Sequence, residues 1–74
     1  MKFKLIKRWK VDDITMKEWN SDVHKTCKYD SNGIMRFIKN GYEVSYINGL
    51  YYMKRTEIVG ISSITTYMIF KESY

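Results

Sequence analysis

Asn32-Gly33, Asn40-Gly41 and Asn48-Gly49 stand eight residues apart, and no other feature of the chain constrains its fold as strongly. Asn-Gly between apolar runs favours tight primed turns, because both residues tolerate the positive φ that such turns need. The segments IMRFIK and YEVSYI between the three turns then predict antiparallel strands, and the whole predicts a meander. Across Asn40-Gly41, Lys39 faces Tyr42, Phe37 faces Val44 and Met35 faces Tyr46. Across Asn48-Gly49, Tyr46 faces Tyr51, Val44 faces Met53 and Tyr42 faces Arg55. Read as a three-residue hairpin loop, Ser31-Asn32-Gly33 sets Tyr29 opposite Met35 and Cys27 opposite Phe37. One face so collects a core layer of Cys27, Tyr29, Met35, Phe37, Val44, Tyr46, Tyr51 and Met53. The opposite face carries Arg36, Ser45 and Tyr52 in one row, Ile38, Glu43 and Lys54 in a second, and Ile34, Ile47 and Leu50 in a third. Glu43 lands across from Lys54, an opposite-charge pair that supports this register.

The flanking segments extend the sheet. Residues 2–11, KFKLIKRWKV, alternate as a strand, with Phe3, Leu5, Trp9 and Val11 on one side and Lys2, Lys4, Arg8 and Lys10 on the other. Lys7 and Ile6 are the two exceptions. Asp12 and Asp13 followed by a Thr15–Glu18 capping box predict a short helix over 15–22, with Met16, Trp19 and Val23 as its apolar stripe and Trp19 as the anchor on the sheet. Residues 23–29 lead into the first hairpin. After Thr56 the density of Ile, Val, Thr, Tyr and Phe predicts one kinked strand or two, with a bend at Gly60–Ser63. Residues 64–71 close against the first strand. The expected class is α+β, mainly β: an antiparallel meander with one short N-terminal helix, which a closing strand can curl into a small SH3-like or OB-like barrel.

Seventy-four residues make one domain, 1–74, with a small core. A single cysteine allows no intramolecular disulfide and fits a reducing cytosol. No apolar run is long enough for a membrane span or a signal peptide, so the expected setting is cytoplasmic. Pro, Ala and Gln are absent while Lys, Ile, Tyr and Asn abound. That composition fits a low-GC genome of the phage or mobile-element kind, and so the cytoplasm of a bacterial host cell.

Catalytic constellations are missing. On the predicted strand His24 and Cys27 point to opposite faces, and a zinc site needs four ligands that no other Cys or His supplies. Asp12 and Asp13 are adjacent and precede the predicted helix, and Asp22 and Asp30 sit near turns, where aspartate is expected for local backbone hydrogen bonding. The glycines form no phosphate-cradling loop before a helix. The expectation is a non-enzymatic chain without metal or cofactor.

Charge is more informative. The net charge is +5, and residues 1–10 hold all of the excess, since the remaining residues balance eight basic against eight acidic side chains. A lysine-rich strand face is one way of guarding a sheet edge. Basic residues interleaved with aromatics also suit nucleic acid, with cations for phosphates and rings for stacking. The predicted register adds a cationic end of the core face, where Lys25 lies opposite Lys39 beside Tyr42 and Arg55. The candidate contacts to DNA or RNA are therefore Lys2, Lys4, Arg8, Lys10, Arg36, Lys39, Lys54 and Arg55, with Trp9, Tyr42 and Tyr52 for stacking. The alternative is an inhibitor or adaptor that docks on a host protein such as a nucleic-acid-handling enzyme. Its contacts are the outer-face patch Ile34, Ile38, Ile47 and Leu50 flanked by Tyr52 and Arg36. A homodimer through that patch or an open strand edge is compatible with the same pattern.

Overall fold

A computed structural model describes residues 2–20 and 28–73 of the chain. The fold is α+β and mainly β. Its strands are β1 (Lys2–Asp12), β2 (Glu18–Asn20), β3 (Lys28–Asp30), β4 (Glu43–Ile47), β5 (Leu50–Val59) and β6 (Ser62–Ser73), with one helix, α1 (Ser31–Lys39), between β3 and β4. All six strands join one antiparallel sheet in the order β2-β1-β6-β5-β4, and β3 also pairs with β1. The sheet is open. The expected barrel does not form, because the chain travels from the edge at β3 to the opposite edge at β4 through α1, which lies over one face and leaves the edges apart.

Of the three Asn-Gly pairs, one makes a hairpin. Asn48 and Gly49 have φ of 51° and 82°, as a type I′ turn requires, and β4 and β5 pair in the register the turn dictates, Glu43 to Lys54 and Tyr46 to Tyr51 included. The other two pairs bracket a helix where strand IMRFIK was expected. Asp30 is the N-cap, its Oδ1 accepting the Gly33 N–H at 2.8 Å, so Asn32-Gly33 lies in the first helical turn. Asn40 is the C-cap. Gly41 has φ of 95°, its N–H donates to the Ile38 carbonyl, and the Tyr42 N–H donates to the Phe37 carbonyl. That pair of bonds is a Schellman motif, and its customary apolar contact is present as Phe37 against Tyr42, ring centroids 5.5 Å apart. The helical spacing of Ile34, Phe37 and Ile38 prevails over the strand reading because Ile34 and Phe37 gain burial against the sheet. The expected pairs of Met35 with Tyr29 and Tyr46, of Phe37 with Val44 and of Lys39 with Tyr42 are therefore absent.

Of the helix expected over 15–22, residues 15–20 form the end of a turn and β2 instead, and residues 21 and 22 lie outside the described residues. Asp12 Oδ1 accepts the N–H groups of Ile14 and Thr15 at 2.9 and 3.2 Å, and the Thr15 hydroxyl accepts from the Lys17 N–H. These bonds tie the backbone into a hairpin turn that returns Glu18–Asn20 along β1. Residues 57–71 prove to be two strands joined through Gly60-Ile61. Gly60 has φ of 63°, the first position of a II′ turn. Residues 64–71 pair with β1, as expected. The expected roles of Val23, His24, Lys25 and Cys27 lie outside the described residues.

The core is small: Phe3, Leu5, Ile34, Met53, Met68 and Phe70, ringed by half-buried Tyr29, Phe37, Tyr42 and Tyr51. Phe70 is wholly buried, with Tyr29 edge-on at 5.4 Å and Phe37 at 5.8 Å. Of the expected core layer, Met53 is buried and Tyr29, Phe37 and Tyr51 pack around it, whereas Met35, Val44 and Tyr46 are exposed. Every strand residue of this core belongs to the sheet face that α1 covers. No helix among the described residues is long and apolar enough to cross a membrane.

Candidate nucleic-acid interface

The two exceptions to alternation in β1, Ile6 and Lys7, mark a β-bulge. Leu5 pairs with Phe70 and Lys7 with Ile69, so Ile6 is an extra residue with no partner on β6. A bulge changes the parity of the strand. Phe3 and Leu5 share the covered face with Arg8 and Lys10, whose partners on β6 are the buried Met68 and Thr66. Lys2 and Lys4 share the open face with Lys7, Trp9 and Val11. The single basic face expected from Lys2, Lys4, Arg8 and Lys10 is thus divided between the two sides of the sheet.

Cross-strand pairing assembles a different basic surface on the open face. Lys4 pairs with Lys28 on β3 and with Lys71 on β6, giving three lysines side by side on adjacent strands about 4.8 Å apart. Like charges directly opposite are destabilising, and among the described residues no carboxylate forms an ion pair with any of the three. Along the same face Lys7 holds its Nζ 4.7 Å from the centre of the Trp9 ring. Trp9 in turn stacks on its cross-strand partner Tyr67, centroids 5.0 Å apart and planes 13° from parallel. Tyr52 on β5 and Lys54 beside it complete the surface, with Lys54 paired to Tyr67 and to Glu43. Trp9, Tyr67, Tyr52, Lys54, Ser45 and Glu43 line a shallow groove of about 360 Å³. Among the described residues no helix or loop packs on this face, and none of its residues is buried.

The other expected contacts lie elsewhere. Arg36 and Lys39 are exposed in the last turn of α1, where cations oppose the negative end of the helix dipole. Arg55 is on the covered face, 3.1 Å from Glu57 and with its guanidinium 5.8 Å from the Tyr42 ring. Tyr42 is half-buried against Phe37, so neither of its expected roles as a free stacking ring nor a place beside Lys39 on a strand end is realised. Arg8 and Lys10 line a second, smaller hollow with Trp9, Trp19 and Asn20. The alternative protein-binding patch is also divided: Ile34 is in the core, Ile38 and Arg36 are on α1, and Ile47, Leu50 and Tyr52 remain together on the open face. Lys7, Lys28, Lys71 and Tyr67 escaped the sequence reading. The Ile6-Lys7 break in alternation signals the first, while the other three come together through pairing between distant segments.

No protein-family model, curated protein or solved structure matches the chain.

Proposed function

We propose that the protein is a non-catalytic nucleic-acid-binding module whose contact surface is the open face of the sheet. The observation that carries this reading is the Lys28–Lys4–Lys71 row, three lysines on neighbouring strands with no carboxylate paired to them among the described residues, on the same face as Trp9, Tyr67 and Tyr52. A fold that tolerates this repulsion on an uncovered face has a surface suited to a polyanion, and phosphates would relieve the repulsion by displacing mobile counterions. Lys2 and Lys7 border the row along β1 and extend the positive field. The second reading, a host protein as partner, draws on Ile47, Leu50 and Tyr52, which stay adjacent on the same face and would seat an apolar hot spot.

Titration of fluorescently labelled single-stranded DNA, duplex DNA and RNA at 50 and 200 mM salt separates the two. Nucleic-acid binding predicts affinity that drops steeply with salt and is lost in Lys4→Glu/Lys71→Glu, a variant altering two exposed side chains. No binding of any of the three at 50 mM salt sinks the reading and leaves the protein partner, to be sought with Tyr52→Ala as the blocking variant.

A further inference from the structure

We infer that the ligand of the open face is a single strand, not a duplex, with its phosphates on the Lys28–Lys4–Lys71 row and its bases against Tyr52 and the Trp9–Tyr67 stack. The inference rests on the nucleic-acid reading above and adds the conformation of the ligand.

Shape is the first reason. The sheet is five strands wide from β2 to β4, roughly 19 Å at the usual strand spacing. The major groove of duplex DNA is about 12 Å wide and admits a helix or a two-stranded ribbon. A face this broad can rest on a duplex but cannot enter its groove. The three long strands, β1, β6 and β5, lie side by side in the middle of the surface, so no narrow ribbon of this face projects on its own.

Chemistry is the second reason. In a duplex the bases are stacked on one another and offer only their edges, whereas an unpaired strand offers ring faces for stacking on aromatic side chains. The open face has what the second case uses. Tyr67 and Trp9 lie stacked as one slab, and Tyr52 stands one strand further on, with the groove between them. The Ser45 hydroxyl and the Glu43 carboxylate border this groove and supply a donor-acceptor and an acceptor for base edges. The lysine row lies to one side of the aromatic groups along the strands: Lys71 is two residues from Ile69, the partner of Tyr52, and four from Tyr67. Those steps amount to about 7 and 13 Å along β6. Phosphate contacts and stacking sites therefore form two parallel bands, the arrangement a single strand meets with its backbone along one band and its bases turned to the other. On a duplex the aromatic band would have no partner.

The test compares a labelled twenty-nucleotide oligo(dT) with the same strand annealed to oligo(dA), at 50 mM salt, for the intact protein, Tyr52→Ala and Lys4→Glu/Lys71→Glu. The single strand should bind at least tenfold more tightly than the duplex. Tyr52→Ala should weaken single-strand binding by roughly fivefold or more, in keeping with the loss of one stacking contact, and leave duplex binding unchanged. The double lysine variant should weaken both. Tyr67→Leu, which keeps apolar bulk beneath Trp9, gives a second aromatic variant, and far-UV circular dichroism verifies that each variant is folded. Equal affinity for the two forms, or a folded Tyr52→Ala that binds the single strand undiminished, overturns the inference while the broader reading survives. Absence of binding to both forms removes the broader reading as well.

Discussion

Asp12 and Asp13 hold two hairpin ends together. Asp13 Oδ1 accepts the Ser63 N–H, the Asp13 N–H donates to the Ser63 carbonyl, and the Ser62 hydroxyl lies 3.0 Å from a carboxylate oxygen of each aspartate. The backbone N–H of Thr15, then that of Ile14 and the Ser62 hydroxyl, favour the charged form of Asp12 and hold its carboxyl below the ordinary value of 3.8. The Ser63 N–H does the same for Asp13. Because both folded-state values are depressed, the stability they contribute is present above the unfolded-state value and is lost as pH falls through the folded-state values. Thermal unfolding followed between pH 6 and pH 2 should therefore show a midpoint that declines at the acid end, and Asp12→Asn/Asp13→Asn should flatten that decline. Gly41 is the second residue on which local geometry depends. At φ of 95° any Cβ is strained, and Gly41→Ala should destabilise the fold by about 1–2 kcal/mol, read as a lower urea midpoint. Phe70→Ala, at the centre of the core, should cost more, about 3–5 kcal/mol.

At the scale of elements, β1 is defined by its bulge. Leu5 and Lys7 pair with the consecutive residues Phe70 and Ile69, so removing Ile6 would join two correctly registered halves without turning either over. Deletion of Ile6 should accordingly leave a cooperatively folding protein, within about 2 kcal/mol of the parent, whereas deletion of Trp9 shifts Lys10 and Val11 to the wrong faces and should unfold or strongly destabilise the sheet. Urea melts of the two deletions distinguish these outcomes. Helix α1 shows how one dipeptide serves two elements. Asn-Gly accommodates positive φ whether it turns a hairpin, as at Asn48-Gly49, or terminates a helix, as at Asn40-Gly41. Its eightfold spacing in the chain therefore does not specify three hairpins. The helix was nonetheless legible in part: Asp30 stands three residues before Gly33, and Ile34, Phe37 and Ile38 repeat at helical intervals. Those marks compete with the strand propensity of the same apolar residues, and packing on Phe70 decides between them.

For the molecule as a whole, the two faces of one sheet have different fates. The covered face keeps the apolar core under α1, and the open face gathers lysines and aromatic rings. If the Lys28–Lys4–Lys71 row contacts three phosphates of a single strand, the logarithm of affinity should fall with the logarithm of salt at a slope of about −2. That corresponds to roughly a twentyfold loss between 50 and 200 mM salt. Changing one lysine of the row to glutamine should reduce the slope by about 0.7, while Lys39→Gln on α1 should leave it unchanged. Fluorescence anisotropy at four or five salt concentrations measures both.

The candidate surface was half legible. Lys2, Lys4, Lys54 and Tyr52 were identifiable from strand alternation and charge, and they stand on the open face; Trp9, which alternation placed with Phe3 and Leu5, joins them only through the bulge. Arg8 and Lys10 were assigned by the same logic and stand on the covered face, because a single extra residue at Ile6 changes which side of the sheet they occupy; Arg55 keeps its expected place on the core face beside Tyr42, and Tyr42 packs on the end of a helix instead of lying beside Lys39 on a strand. What the sequence by itself determined is what short-range chemistry determines: the strand character of β1, β5 and β6, the turn at Asn48-Gly49 and the β4–β5 register that follows from it. Tertiary structure alone decided that residues 31–39 coil over the sheet, that the sheet stays open, and that Lys4 lies between Lys28 and Lys71. Each of these depends on contacts between segments far apart in the chain, whose free energy comes from burying Ile34 in the core and packing Phe37 on Phe70 and from strand pairing that no local pattern specifies.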